Sequence, residues 1–341
     1  VAIGGGTGLS TLLRGLKDYT HLPWYETGRR LTPPVEITAV VTVTDDGGSS
    51  GRLRREFDVL PPGDIRNCMV ALSEDEALLS KLFQYRFPAG RGLKGHSFGN
   101  LFLTALTNIT GDFARAVRVS SEVLAIVGRI YPCTAANVVL EAQLADGSRV
   151  SGETRISRSK SRIETISLRP RDARPLAETL EAIAAADLIT FGPGSLFTSI
   201  VPNLLIQGIP EAIQRSPALK AYFVNLMWQP GETMGFSASD HVEAIHRHAG
   251  RRLLDCVVIN TKPISAPLRR RYAAAQARPV ENDVARLEAA GLRVVGDNLL
   301  ADAEKVRHDP ARTAAVAVRL AAEGRAWRRR ESRAAGSGRW T

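Results

Sequence analysis

The sequence is poor in cysteine: Cys68, Cys133 and Cys256 are the only three in 341 residues, scattered and without a CxxC pair. That excludes a disulfide framework, and it fits a reducing cytoplasm in which each thiol is a small buried hydrophobe. No run reaches about 18 consecutive apolar residues, so no transmembrane helix is expected. Val1-Ala2-Ile3 runs straight into glycines and lacks the basic and apolar regions of a signal peptide. It also lacks a Met, so a short N-terminal extension is expected to precede it. Two nucleotide signatures are missing as well. No Lys-Ser or Lys-Thr follows the first glycine loop, as a Walker loop requires. The dinucleotide fingerprint GxGxxG fails in both frames, its third glycine falling on Leu9 or Thr11. A conventional NAD dehydrogenase is therefore disfavoured, although Asp45 at the end of the second strand is placed to hold a ribose hydroxyl. His241, His246 and His248 do not form HExxH, which argues against zinc.

What is present is an ordinary globular composition, 44 per cent hydrophobic and 23 per cent charged, with a net charge of +10. Half of that charge lies beyond Gly324, where Arg325, Arg328, Arg329, Arg330, Arg333 and Arg339 face only Glu331. A solvated, disordered tail at 324–341 is expected, with contact to an anionic partner as the alternative. The remaining chain is mildly basic, as suits a protein for anionic metabolites, and nucleic acid is not expected as a partner.

Apolar periodicity gives a strand, a glycine turn and a helix bearing Leu9, Leu12, Leu13 and Leu16. Tyr19 to Pro34 reads as a polar link, and Ile37–Val43 as a core strand. Helices are expected near Ile65–Ser73, Ala77–Tyr85, Phe98–Ile109 and Phe113–Ile126. Val138–Leu144 and Arg149–Ile156 flank Asp146-Gly147, a hairpin signal, and Ile163–Leu168 adds a third strand. Strands at Leu188–Phe191, Ala221–Leu226 and Cys256–Ile259 follow, with a helix at Ser239–His248. The fold class expected is α/β: one domain over 1–323, a three-layer Rossmann-like, mainly parallel sheet with a small antiparallel β insertion at 132–169.

The chemistry should sit on loops at strand ends. In Gly4-Gly5-Gly6-Thr7-Gly8-Leu9-Ser10 a glycine turn opens a helix, presenting backbone N–H groups and a positive helix end to a phosphate. The plainer reading is a tight turn capped by Ser10 or Thr7. Asp45-Asp46-Gly47-Gly48 offers two carboxylates for Mg²⁺ or for hydrogen bonds to sugar or base groups, or else is a polar turn. Asp64, in Pro62-Gly63-Asp64-Ile65-Arg66-Asn67, is a helix N-cap, a ligand contact or both. Arg66 and Asn67 then face a phosphate or a sugar hydroxyl. Gly95-His96-Ser97-Phe98-Gly99 matches GxSxG by letter, but no strand precedes it, so a nucleophile elbow is disfavoured. It reads as a loop-to-helix junction, with His96 and Asn100 as polar contacts. Gly192-Pro193-Gly194-Ser195 repeats the logic of the first loop after a later strand, and Asn225 ends the next. Two phosphate-type loops on one cleft suit a diphosphate.

Together, GGGTGLSTLLRGLK, AVVTVTDDGGSSGRLR, PPGDIRN, GHSFGN, ITGDFARA, GPGSLFTS and NLMWQPGETMGFSASDH resemble, in order, the YvcK-like gluconeogenesis factors over roughly Val1 to Glu323. The resemblance implies a Rossmann-like fold shared with the 2-phospho-L-lactate transferases. It also implies binding of UDP-sugars, notably UDP-N-acetylglucosamine, and a regulatory role linking carbon metabolism to cell-wall synthesis and cell shape. On that basis Gly5, Gly6, Thr7, Gly8, Asn225, Tyr272 and Arg307 line the nucleotide-sugar site. Trp228 stands where relatives more often carry a smaller polar residue. Three functional classes result: a cytoplasmic UDP-sugar-binding regulator without turnover, a Mg²⁺-dependent transferase acting on a nucleotide diphosphate, and a redox enzyme, which the broken fingerprint disfavours. Cell-wall synthesis proteins and a second copy of the chain are the candidate protein partners.

Overall fold

The computed structural model describes residues 1–20, 34–74 and 76–337. Most of the expected polar link and the last four residues of the tail lie outside them. The chain opens with β1 (Ala2–Gly4), α1 (Gly6–Lys17), β2 (Thr38–Val41), α2 (Gly48–Phe57), α3 (Gly63–Leu72), α4 (Glu76–Gln84), α5 (Phe98–Thr110), α6 (Phe113–Val123) and β3 (Arg129–Pro132). Then come β4 (Val139–Leu144), β5 (Arg149–Ser151), α7 (Glu153–Ile156) and β6 (Ile163–Arg169). The second half holds α8 (Ala177–Ala185), β7 (Leu188–Phe191), α9 (Val201–Leu204), α10 (Ile209–Arg215), β8 (Leu219–Phe223), α11 (Ala238–Ala249) and β9 (Cys256–Asn260). It ends with α12 (Ala266–Ala273), α13 (Val284–Ala289), β10 (Arg293–Asp297) and α14 (Pro310–Ser337).

Seven strands form one parallel sheet in the order β10-β9-β8-β7-β1-β2-β3, with Ile3 opposite Val40 on one side and Phe191 on the other. The central strands are short and buried on both faces, as their apolar runs predict: Leu188–Phe191 and Thr38–Val41 have no exposed residue. Helices packed on the sheet complete one continuous apolar core from Ile3 and Leu12 to Val258 and Leu320. The β4, β5 and β6 strands make a separate antiparallel sheet in the order β5-β4-β6, the expected insertion. His248 on α11 ties it to the body, its Nε2 accepting from the Ile166 amide at 3.0 Å.

Four local expectations change. The second hairpin arm, expected to run to Ile156, stops at Ser151 because Gly152 turns the chain at φ +96° into α7. The Gly-Ser-rich segment after Asp46 is not an open loop but the helix α2. Its intrinsic propensity is poor, yet Ser49 and Ser50 are buried and hydrogen-bonded, and Gly51 lies so close to the Asp46 backbone that no side chain fits. The strands β3 and β10 were not expected; Pro132 in the first and Gly296 in the second mask the pattern. The basic tail expected to be disordered from Gly324 is the continuation of α14, helical through Ser337. Arg325 and Arg328 pair with Asp187 at 2.9 and 3.1 Å, and Gly324 gives the helix its close approach to the Asp187 carbonyl.

Candidate functional site

Strand order runs outward in opposite directions from β1 and β7, so the loops leaving these neighbours diverge and open a crevice at their carboxyl ends. The first loop enters α1 through Gly5, an N-cap with no side-chain hydrogen bond. Neither Thr7 nor Ser10 caps the helix; Ser10 Oγ and Thr11 Oγ1 both donate back to the Thr7 carbonyl, at 3.0 and 2.8 Å. The Gly6 amide is hydrogen-bonded to the Asp64 carboxylate, whereas the Thr7 and Gly8 amides have no side-chain acceptor among the described residues, an arrangement that can receive an anion. Gly6 needs its missing Cβ because φ is +60°. Gly8 needs it because the second turn passes against it: a Cβ there would lie 2.6 Å from Gly194 Cα and closer still to the Pro193 carbonyl.

Thr7, Gly8, Gly194, Ser195, Asn225 and Arg307 line one compartment of this crevice, about 230 Å³. The Arg307 guanidinium is exposed and has no ion-pair partner among the described residues. Its segment is positioned by Tyr272, whose Oη accepts from the Val306 amide at 3.1 Å. Tyr272 faces an adjoining compartment of about 510 Å³, also lined by Glu153, Ser157, Thr198, Trp228 and Glu232. That volume lies within the ~300–1,000 Å³ usual for small-ligand sites. Gln229 and Ser195 border both compartments. Gln229 Nε2 donates to Ser195 Oγ at 2.6 Å and its Oε1 accepts from Asn225 Nδ2 at 3.2 Å.

The acidic residues gather beside the glycine turn. Asp64 is not an N-cap; α3 begins at Gly63, and Asp64 sits in the first turn against Gly5 and Gly6. Desolvation, and next the charge of Asp45, push its carboxyl up to about 7. Asp45 Oδ1 accepts from the Gly47 amide at 2.9 Å. Asp46 is engaged by the insertion: its Oδ1 accepts from the Thr154 amide and hydroxyl at 2.8 and 2.6 Å. Glu153 is held well above the usual carboxylate range by burial, then by Asp64, Asp45, Glu232 and Asp46. Among the described residues no group of three or more His, Cys, Asp or Glu side chains is arranged to hold a metal ion.

Gly5, Gly6, Asp45, Asp46, Asp64, Asn67, His96, Asn100 and Gly192 are not among the residues lining either compartment. His96 and Asn100 are 2 and 1 per cent exposed, and their hydrogen bonds are used internally. Arg66 donates to Ser97 Oγ, Asn100 Oδ1 and Asn67 Oδ1 at 2.7, 3.2 and 2.8 Å. Asn100 Nδ2 donates to Ser50 Oγ at 3.2 Å, and His96 Nδ1 pairs with Ser49 Oγ at 3.0 Å. Ser97 is the N-cap of α5. This network locks α2, and with it the Asp45–Gly47 turn, onto α3 and α5. Gly192, at φ +74°, shapes the second turn.

Glu153, Glu232 and Gln229 were missed by sequence reasoning. A signal for the first two exists: Gly-Glu-Thr occurs twice, at 152–154 and 231–233, each glycine at positive φ and each glutamate on the same compartment.

Three comparisons show what the chain is similar to. The sequence model described as 2-phospho-L-lactate transferase CofD matches residues 1–300. The gluconeogenesis factor of Bacillus subtilis is 48% identical over 321 residues, covering 94% of this chain and 97% of its own. That of Halalkalibacterium halodurans is 48% identical over 310 residues, covering 91% and 92%. Among solved structures, a UPF0052-family protein from Bacillus halodurans superposes with a TM-score of 0.86 at 47% identity, covering 93% of this chain and 97% of that one.

Proposed function

The chain belongs to the CofD family and is akin to its gluconeogenesis factors, and from that premise we propose that it is a UDP-sugar-binding regulator. The observation that carries the reading is that the Thr7-Gly8 start of α1 and Arg307, which has no ion-pair partner among the described residues, line one small compartment. Such donors, aimed from two sides, suit the oxygens of a diphosphate. In this reading the diphosphate of UDP-N-acetylglucosamine rests between Gly5–Gly8 and Gly194–Ser195, Asn225 and Gln229 contact its polar edges, and Tyr272 holds Arg307 in place. The role that follows is cytoplasmic: sensing a cell-wall precursor during gluconeogenic growth and coupling carbon metabolism to cell-wall synthesis and cell shape. No single helix among the described residues is long and apolar enough to cross a membrane.

A second reading, a transferase acting on a nucleotide diphosphate, draws on Asp45 and Asp64. Their mutual repulsion beside the phosphate-type turn is the setting in which Mg²⁺, shared with phosphate oxygens, would be held; it would neutralise the diphosphate. Asp46 does not fit that role, being bound to Thr154. Calorimetric titration of the protein with UDP-N-acetylglucosamine, with product release followed in the same sample, tests the two readings. No detectable binding would overturn the first, and nucleotide release would favour the second.

A further inference from the structure

The larger compartment differs in charge from the smaller one. Arg307 and His308 line the smaller compartment. The larger is lined by two carboxylates, Glu153 and Glu232, and by no Lys, Arg or His side chain. The guanidinium of Arg278 packs over the Trp228 ring, 5.9 Å from its centroid, and is not part of the lining. Both carboxylates come from Gly-Glu-Thr segments that a glycine at positive φ opens, the first as the start of α7 and the second as a turn. Gly152 turns at φ +96° against the Asp46 carboxylate, and Thr154 anchors on Asp46. Gly231 turns at φ +83° against the carbonyls of Ser157 and Ser159, and Thr233 Oγ1 accepts from the Gln229 amide at 3.1 Å. The second turn thus rests on the segment that follows the first.

Glu232 is 6 per cent exposed, and its carboxylate is met by two side-chain hydroxyls and faced by the Phe197 amide. Ser157 Oγ and Thr198 Oγ1 donate to Oε1 at 3.1 and 3.4 Å, while Oε2 has no hydrogen-bond partner. A buried acceptor left unmatched is costly to the free protein and gains when a donor arrives. The tyrosine, the tryptophan and the alanines at 275 and 277 add an apolar wall, the mixture of surfaces that suits a sugar ring rather than a bare ion.

We propose that the two Gly-Glu-Thr segments form an acceptor clamp that selects an uncharged, hydroxyl-bearing sugar on the terminal phosphate and rejects a sugar carrying a carboxylate. The inference rests on the nucleotide-sugar reading above and names the class of sugar. When Glu232 is ionised a hydroxyl donates to its free acceptor, whereas a uronate would place a second charge beside it with no cation in the lining to offset it.

UDP-glucose and UDP-glucuronate differ only at C6, as alcohol and carboxylate, so they isolate the effect. Calorimetry on the wild-type protein above pH 7, where Glu232 is ionised, should show UDP-glucose binding at least about tenfold more tightly, a difference of ~1.4 kcal/mol. In Glu232→Gln, which keeps the shape and removes the charge, the ratio should shrink at least about threefold while the affinity for UDP alone is unchanged. Glu153→Gln should shift the ratio in the same direction, and the wild-type comparison needs no variant at all. Equal wild-type affinities for the two sugars, with UDP itself bound, would overturn the clamp and leave the nucleotide site standing. Loss of UDP affinity in Glu232→Gln equal to the loss for UDP-glucose would overturn it too, because the carboxylate would then serve the nucleoside. If neither UDP nor either UDP-sugar binds, the clamp and the functional reading fail together.

Discussion

Asp46 holds Thr154 by two hydrogen bonds to one oxygen, Oδ1, from the amide at 2.8 Å and from the hydroxyl at 2.6 Å. Through that contact the turn after β2 fixes α7 and so sets where Glu153 stands. Charge-assisted bonds of this kind contribute ~1.5–3 kcal/mol each. Asp46→Ala should leave the sheet folded, lower the melting temperature by several degrees, and raise hydrogen exchange at the Thr154 amide at least about tenfold. Unchanged exchange there would show that the insertion is held by other contacts.

Gly8→Ala tests the contact between the two turns. The added methyl would meet backbone on the far side, Gly194 Cα at 2.6 Å and the Pro193 carbonyl, and backbone cannot swing aside as a side-chain end does. The turns must separate or the helix start must shift. The variant should lose at least about tenfold in UDP-N-acetylglucosamine affinity and melt earlier than wild type, by differential scanning calorimetry. Wild-type affinity with wild-type melting would mean that the turns move apart freely.

Arg307 is exposed and outside the apolar core, so its removal should not disturb folding. Arg307→Ala deletes a bidentate donor to phosphate. A loss of ~1.5–3 kcal/mol corresponds to roughly ten- to hundredfold weaker UDP-sugar binding, with circular dichroism unchanged. Unaltered affinity would remove Arg307 from the site.

Much of this was legible in the sequence because the signals were local. The run Leu188–Phe191, ending in Gly192-Pro193-Gly194-Ser195, declares a buried strand and a turn without reference to anything else. The turns after β1 and β7 were legible for the same reason. What escaped depends on contacts distant in sequence. The helix α2 forms because Ser49, Ser50 and Gly51 meet His96, Asn100 and the Asp46 backbone. Glu153 belongs to the site only because Asp46 draws Thr154 in from 108 residues away. His96 and Asn100 read as contacts for a ligand because a polar loop residue carries no mark of which way it faces; burial supplies that. Tyr272 and Arg307 came from resemblance, since no local pattern places them together.

Burial also gives the ligand-free protein a pH dependence. It pushes the Glu232 carboxyl up to about 7 from 4.5, and the hydroxyls of Ser157 and Thr198 offset part of the cost. A carboxyl raised on folding binds its proton more tightly in the native state, so stability is highest below the unfolded value and falls as pH rises through the folded one. The window runs from about 4.5 to about 7. His96, His241, His246, His248 and His308, whose values burial lowers, act in the opposite sense, so the Glu232 contribution is read as a difference. In the absence of ligand the melting temperature of Glu232→Gln should gain on that of the wild type as pH rises across the window. An identical slope in the two proteins would mean that Glu232 ionises freely in the fold.

Chelation separates regulator from transferase. A transferase acting on a diphosphate needs a divalent cation to neutralise the linkage as it breaks, so its turnover should vanish without one. A binding protein needs the α1 amides, Arg307 and a few polar contacts, none of which involves a metal. The two residues that face each other across the turn, Asp45 and Asp64, repel, and Asp46 is already committed to Thr154. A cation would therefore ease binding without being its main source. UDP-N-acetylglucosamine should bind in the presence of EDTA with affinity lowered less than tenfold. The double substitution Asp45→Asn with Asp46→Asn should alter affinity, and no nucleotide should be released by either protein. Mg²⁺-dependent release of nucleotide by the wild type, abolished in the double variant, would overturn the regulator in favour of the transferase.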